Sequence, residues 1–253
     1  MVKTSISERL PLSPKSWPAD AFVWWQSLLF AVALFLTIVV PTFVFVIVLY
    51  GTHLVSRHDL ETLSWPVVIV QLISYAFALV FLAALLPRIA HRSLANLGFR
   101  APSAGDLAWG LGGAILMIGF AALVSSFQEV VFHVKADEVQ VHWLRDARGS
   151  LVAGFIFLAC IAAPFFEEFT FRGFVFNALL RYLPVWAAVL SSAIVFGLVH
   201  YQPGNAGALA PLAAGGVVLA LVYYFSRSLV ASMITHAAFN ACTVVVVLAF
   251  HQA

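Results

Sequence analysis

Long apolar runs, most of them near the roughly 20 residues a helix needs to cross a bilayer, alternate with short polar breaks along almost the whole chain. This spacing predicts membrane spans over Val23–Tyr50, Pro66–Leu86, Leu107–Phe127, a stretch from Leu151 on through two adjacent glutamates, Val185–His200, Ala208–Phe225 and Leu229–Phe250. The first run exceeds what an upright helix requires, and Pro41 marks where a kink or tilt would absorb the excess. Between Leu151 and Leu183 there is room for an eighth half-span or a re-entrant piece. The expected fold class is therefore all-α, a polytopic membrane protein with a bundle of about seven to eight transmembrane helices. No internal repeat, low-complexity tract or long linker divides it, so the expected organisation is a polar tail over 1–20 and one transmembrane domain over 21–253.

Composition agrees with the pattern. Of 253 residues, 63% are hydrophobic and 9% charged, against about 25% charged in ordinary soluble domains. The run from Phe22 to Tyr50 is too long for the roughly 7–15-residue core of a cleaved signal and reads as a first helix that stays. Thirteen basic residues against 11 acidic leave no nucleic-acid footprint. Cys160 and Cys242 lie in apolar runs, where a thiol acts as a small hydrophobe, and no CxxC metal motif is present.

Basic residues also orient the chain. With the N-terminus inside, the inner segments hold Lys3, Arg9, Lys15, Arg88, Arg92, Arg100, Arg172, Arg181 and Arg227, and the outer ones Arg57, Lys135, Arg145 and Arg148. Positive charge favours the cytoplasmic side, so the expectation is an integral protein of a bacterial cell membrane with a cytoplasmic N-terminus and an outer C-terminus.

Three polar constellations interrupt the apolar runs, and an ionisable group at membrane depth is by default a functional-site hypothesis. The first is Glu167-Glu168-x-x-x-Arg172. Glu168 and Arg172 stand at i,i+4 with the acid on the N-terminal side, the better order for an ion pair. Glu167 lies about 100° further round and has no such partner. The second is Phe196-x-x-x-His200, and the third His236-x-x-x-Asn240 on one face of the last helix. Pro184 stands sixteen residues after Glu168 and sixteen before His200, so a helical hairpin brings the acidic pair and His200 level. His236 matches that depth only if the arm from Phe174 to Tyr182, with Asn177 and Arg181, projects into the headgroups. Each cluster alone has a bland explanation: a histidine bonded to a backbone carbonyl, interhelical glue, or packing. All three on helices that can converge favour function. The acids and histidine around Glu129, Asp137, Glu138, His142 and Asp146 are read as a solvated connection, and Ser191 and Ser192 as packing residues.

Hydrolysis of a peptide by water needs a base, an acid for the leaving amine and donors for the oxyanion. A carboxylate in an apolar pocket suits the base role, here Glu167, with His200 orienting the water and His236 and Asn240 facing the oxyanion. Glu167, His200 and His236 are equally a ligand set for a divalent metal such as zinc, and residue types leave both routes open. No HExxH or GxSxG motif offers another design.

The EExxxR, FxxxH and HxxxN motifs, in that order on successive helices, resemble the CAAX protease and bacteriocin-processing (Abi) family of intramembrane endopeptidases. The "SLANLGFR" stretch at 93–100 is similar to that family's segment leading into the next helix. The resemblance covers roughly the C-terminal half. It implies a catalytic Glu167, a supporting pair Glu168 and Arg172, further site groups His200, His236 and Asn240, a site opening toward the cytosol, and a membrane-associated protein or peptide as substrate. Competing readings are a non-proteolytic immunity or scaffold protein of the same fold and a proton-coupled transporter. The clustering of polar groups at one site and the absence of an apparent repeat weigh against transport.

Overall fold

The computed structural model describes residues 24–90, 94–202 and 204–250. The tail over 1–20, Arg92 and the first residue of the 93–100 stretch lie outside the described residues. Eight helices organise the rest: α1 (Trp24–Gly51), α2 (Trp65–Arg88), α3 (Ala104–Phe132), α4 (Val139–Asp146), α5 (Ser150–Leu180), α6 (Val185–Leu198), α7 (Leu209–Ser226) and α8 (Leu229–Phe250). Among the described residues there is no strand. Six helices of the described residues are long and apolar enough to cross a membrane, and α6 is apolar but shorter. The stretch after Leu151 is a single helix to Leu180, with no half-span or re-entrant piece inside it.

Successive spans alternate in direction, and exposed aromatic side chains collect at both ends of the bundle. Trp25, Trp109, Tyr182 and Trp186 mark one end, and Tyr50, Trp65 and Tyr201 the other. Amphipathic rings of this kind settle at membrane–water interfaces, whereas exposed Val32, Phe43, Ile115 and Leu123 lie between the belts.

Small residues let the central helices approach. A Cβ on Gly110 of α3 would lie 2.4 Å from the Ile234 side chain of α8, and one on Gly216 of α7 would lie 3.0 Å from the Ala193 backbone of α6. Such glycines substitute for a hydrophobic drive that does not exist between helices in lipid. The acid near the start of α3 is structural. Ser103 and Asp106 form a reciprocal capping box, and the Arg100 guanidinium grips the Asp106 carboxylate at 2.6 and 2.8 Å.

Two features shape the site. First, α5 is wound with π turns over Leu158–Ala162 and Phe169–Phe176. Pro164 lies just beyond the first, and it has no N–H to return to a preceding carbonyl; a widened turn is a known answer to such a defect. Second, α6 has 14 residues, about 21 Å of helix, against a hydrocarbon core of about 30 Å. Its end therefore stops short of the surface, and the 199–208 connection dips to meet it. That connection is held by Gln128 Nε2 donating to the Gly207 carbonyl at 2.6 Å and Asn205 Nδ2 donating to the His200 carbonyl at 2.8 Å. The 133–138 segment lies directly over it, since a Cβ on Gly207 would fall 2.0 Å from the Lys135 carbonyl oxygen.

Candidate active site

Glu168 anchors the site. It is fully buried, as is Arg172, and its carboxylate accepts from Arg172 Nη1 at 3.0 Å, Ser232 Oγ at 2.5 Å and His236 Nδ1 at 3.1 Å. Arg172 donates its other terminal nitrogen to the Gly216 carbonyl at 3.1 Å and lays its guanidinium over the Phe196 ring, 4.6 Å from the centroid. A buried ion pair at this depth relies on partners for its remaining donors and acceptors; helices α5, α7 and α8 supply them, and Arg172 Nε alone of the guanidinium nitrogens has no hydrogen bond. The arginine counted among inner basic residues from sequence is thus a core group.

Glu167, one residue earlier, points elsewhere. Its side chain retains 25% exposure, and its Oε2 stands 3.7 Å from His200 Nε2 and 3.9 Å from His236 Nε2. That oxygen makes no hydrogen bond within the protein. Both histidines are oriented from behind. His200 Nδ1 lies 2.7 Å from the Phe196 carbonyl, and a carbonyl only accepts, so Nδ1 carries the proton and Nε2 presents its lone pair toward Glu167. The same logic puts a proton on His236 Nδ1 against the Glu168 carboxylate and leaves Nε2 facing Glu167. Asn240 donates Nδ2 to the Ala159 carbonyl at 2.6 Å. In a π turn that carbonyl would seek the N–H of residue 164, which is proline and has none. The bond fixes the amide plane and leaves one N–H of Asn240 for another acceptor.

All six sequence candidates therefore come together, in two layers: Glu168 and Arg172 behind, Glu167, His200, His236 and Asn240 on a cavity of about 510 Å³. Its walls are mainly apolar and include Tyr75 of α2, which stacks on Phe166 at 4.8 Å. The same tyrosine also lines an apolar groove between α2, α5 and α8.

Two readings from sequence need correction. The 133–149 connection is more than a solvated link: Glu138 is half-buried and lines the cavity. Burial raises its carboxyl pKa, with nearby His200 pulling the other way. Nor is the arm after Phe174 exposed along its length: it begins inside the bundle, and Tyr182 at its end reaches the aromatic belt. Asn177 is buried and donates to the Gly173 carbonyl and the Tyr223 hydroxyl; the wide turns of α5, rather than a projecting arm, adjust the depth of Glu167 to His236. Ser232 was missed, although Ser232, His236 and Asn240 stand at i, i+4 and i+8 on one face of α8.

Donor chemistry at Glu167, His200 and His236 suits zinc, but two ligands on one tetrahedral zinc sit about 3.3 Å apart, closer than either separation here. Among the described residues no group of three or more His, Cys, Asp or Glu side chains is set to hold a metal ion. As placed, these residues do not form a metal cage.

Residues 149–242 match the Rce1-like family model, described as type II CAAX prenyl endopeptidase Rce1-like. No curated protein and no solved structure matches the chain.

Proposed function

From its place in the CAAX protease family of membrane proteases, to which the match over 149–242 assigns it, we propose that this chain is an intramembrane endopeptidase acting through Glu167-activated water. The observation that carries the reading is Glu167 Oε2, free of protein hydrogen bonds and faced by the Nε2 atoms of His200 and His236 at 3.7 and 3.9 Å. A water held between Glu167 Oε2 and His200 Nε2 has both protons aimed at acceptors and its lone pair turned into the cavity. When it attacks a peptide carbonyl, Glu167 takes one proton and later returns it to the departing amine. The oxyanion meets the remaining N–H of Asn240. His236 Nε2 faces the same cavity, its ring held by Nδ1 against the Glu168 carboxylate. Arg172 and Ser232 hold Glu168 in place without touching the substrate.

The test is cleavage of membrane-anchored peptides by purified protein, comparing wild type with Glu167→Gln and repeating both with a chelator. Losing a positioned general base is expected to lower the rate by about 10²–10⁴-fold, with chelator leaving wild type unaffected. A Glu167→Gln protein as active as wild type would overturn the reading, and a chelator-sensitive wild type would replace its water-activation step with a metal.

A further inference from the structure

The cavity carries one acid that the proposed reaction does not use. Glu138 stands at the N-cap of α4, where a side-chain oxygen can accept from the first-turn N–H groups, yet it makes no such bond. It lines the cavity instead, half-buried, together with Glu167 and His200. Among the described residues its carboxylate has no hydrogen bond and no ion pair. Other acids of the connections are met or solvated. Glu61 pairs with Arg57 at 2.6 Å, Glu129 with Lys135 at 3.9 Å and Asp137 with His142 at 2.5 Å; Asp59 shares a capping box with Ser56, and Asp146 is exposed. Sheltering a carboxylate without a cation disfavours its charge, which is why burial raises the pKa of Glu138.

The rest of the lining says which charge would meet it. No lysine or arginine lines the cavity, so an acidic group entering it would find two carboxylates and no counter-ion, whereas a cation would find Glu138 unpartnered. Trp143 of α4 lines the cavity too, with its indole N–H committed to the Glu61 carbonyl at 2.9 Å. A carboxylate and an aromatic ring on one wall suit an ammonium or a guanidinium. Glu138 is also close enough to His200 for the two charges to interact, which places it beside the water between His200 and Glu167. We infer that Glu138 is a specificity-determining residue: it receives a basic side chain of the substrate next to the scissile bond, and the cavity discriminates against an acidic side chain at that place. The preference in cleavage rests on the endopeptidase reading; the cation site does not.

The test uses purified full-length protein and membrane-anchored peptides, N-acetylated and C-amidated, in which one lysine is moved through an otherwise neutral apolar segment, with glutamine and glutamate counterparts at each place. At one position kcat/KM is expected to favour lysine over glutamine by about 10- to 100-fold, the range of a hydrogen bond to a charged group, with glutamate below glutamine. In Glu138→Gln the lysine-to-glutamine ratio is expected to fall toward unity, whereas Asp146→Asn, at an exposed acid of the same connection, keeps the wild-type ratio. Each ratio is taken within one protein, so a variant slow on every peptide still reports it. A series with no lysine-favoured position, or a preference that survives Glu138→Gln, overturns the inference. So does a Glu138-dependent preference confined to a peptide whose single cation is a free α-amino group, which would assign the site to a chain terminus. If no peptide is cleaved in a Glu167-dependent way, binding of the same peptides to Glu167→Gln protein decides. Lysine peptides held more tightly than glutamine ones, with the difference lost on adding Glu138→Gln, remove the endopeptidase reading and leave the cation site standing; equal binding overturns the cation site as well.

Discussion

At the scale of single residues, the adjacent glutamates have opposite fates because a helix turns about 100° between them. Glu168 turns into the protein, where Arg172, Ser232 and His236 satisfy it; Glu167 turns into the cavity. Removing one member of a buried pair strands the other's charge, so Glu168→Gln or Arg172→Met is expected to lower stability by about 3–5 kcal/mol. Exchanging both together, as Glu168→Gln with Arg172→Met, is expected to lose clearly less than the sum of the singles. Unfolding midpoints of the four proteins in detergent micelles check this, and strict additivity would mean the pair does not act as a unit. The pairing was legible in the i,i+4 spacing, and so was the odd position of Glu167. Ser232 and the Gly216 carbonyl were not, because a hydroxyl or a backbone acceptor at membrane depth looks no different in sequence from one that only packs.

At the scale of elements, the spans themselves were legible from apolar runs, while the winding of α5 was not. A π turn leaves no compositional mark, and Pro164 signals only that some carbonyl before it goes unpaired. Asn240 meets that defect at Ala159. Asn240→Leu is expected to cost about 1–3 kcal/mol, the penalty of an unsatisfied buried carbonyl, as well as lowering activity. Asn240→Gln, which keeps the amide but displaces it, separates the two effects if its stability stays near wild type while its rate falls; stability measured beside peptide cleavage reads both. The 133–149 connection misled for a related reason: its charges look solvated until the 199–208 segment is seen to dip beneath it. There burial raises the pKa of Glu138. An acid whose folded pKa is raised contributes stability below its unfolded pKa and loses that contribution as pH rises through the folded value. Glu138→Gln is therefore expected to flatten the decline of thermal stability as pH rises out of the acidic range. An unchanged slope would show that Glu138 is solvated after all.

At the scale of the whole molecule, the motif-bearing half and the cavity are not the same object. The family match ends at the C-terminal half, where all six motif residues lie, and the N-terminal spans look generic in sequence. Yet Thr42 and Leu49 of α1, Gln71 and Tyr75 of α2 and Met117 of α3 line the cavity. Gly110 and Gly113 of α3 also receive the α8 face next to His236: a Cβ on Gly113 would meet Thr235 Oγ1 at 2.5 Å, and Thr235 Oγ1 donates to the Gly110 carbonyl at 3.1 Å. Sequence hid this because a wall of Val, Leu and Tyr facing a cavity has the same composition as one facing lipid. Helices inserted separately can still assemble afterwards by packing and hydrogen bonding. Residues 149–253 expressed alone are therefore expected to enter the membrane and yet lack Glu167-dependent cleavage, while co-expression with residues 1–148 restores a measurable fraction of the intact protein's rate. The comparison is made on membranes with equal amounts of the C-terminal piece. Cleavage at the full rate by that piece alone would mean that the α1–α3 wall contributes nothing to holding substrate or excluding lipid, and that α5 to α8 form the enzyme by themselves.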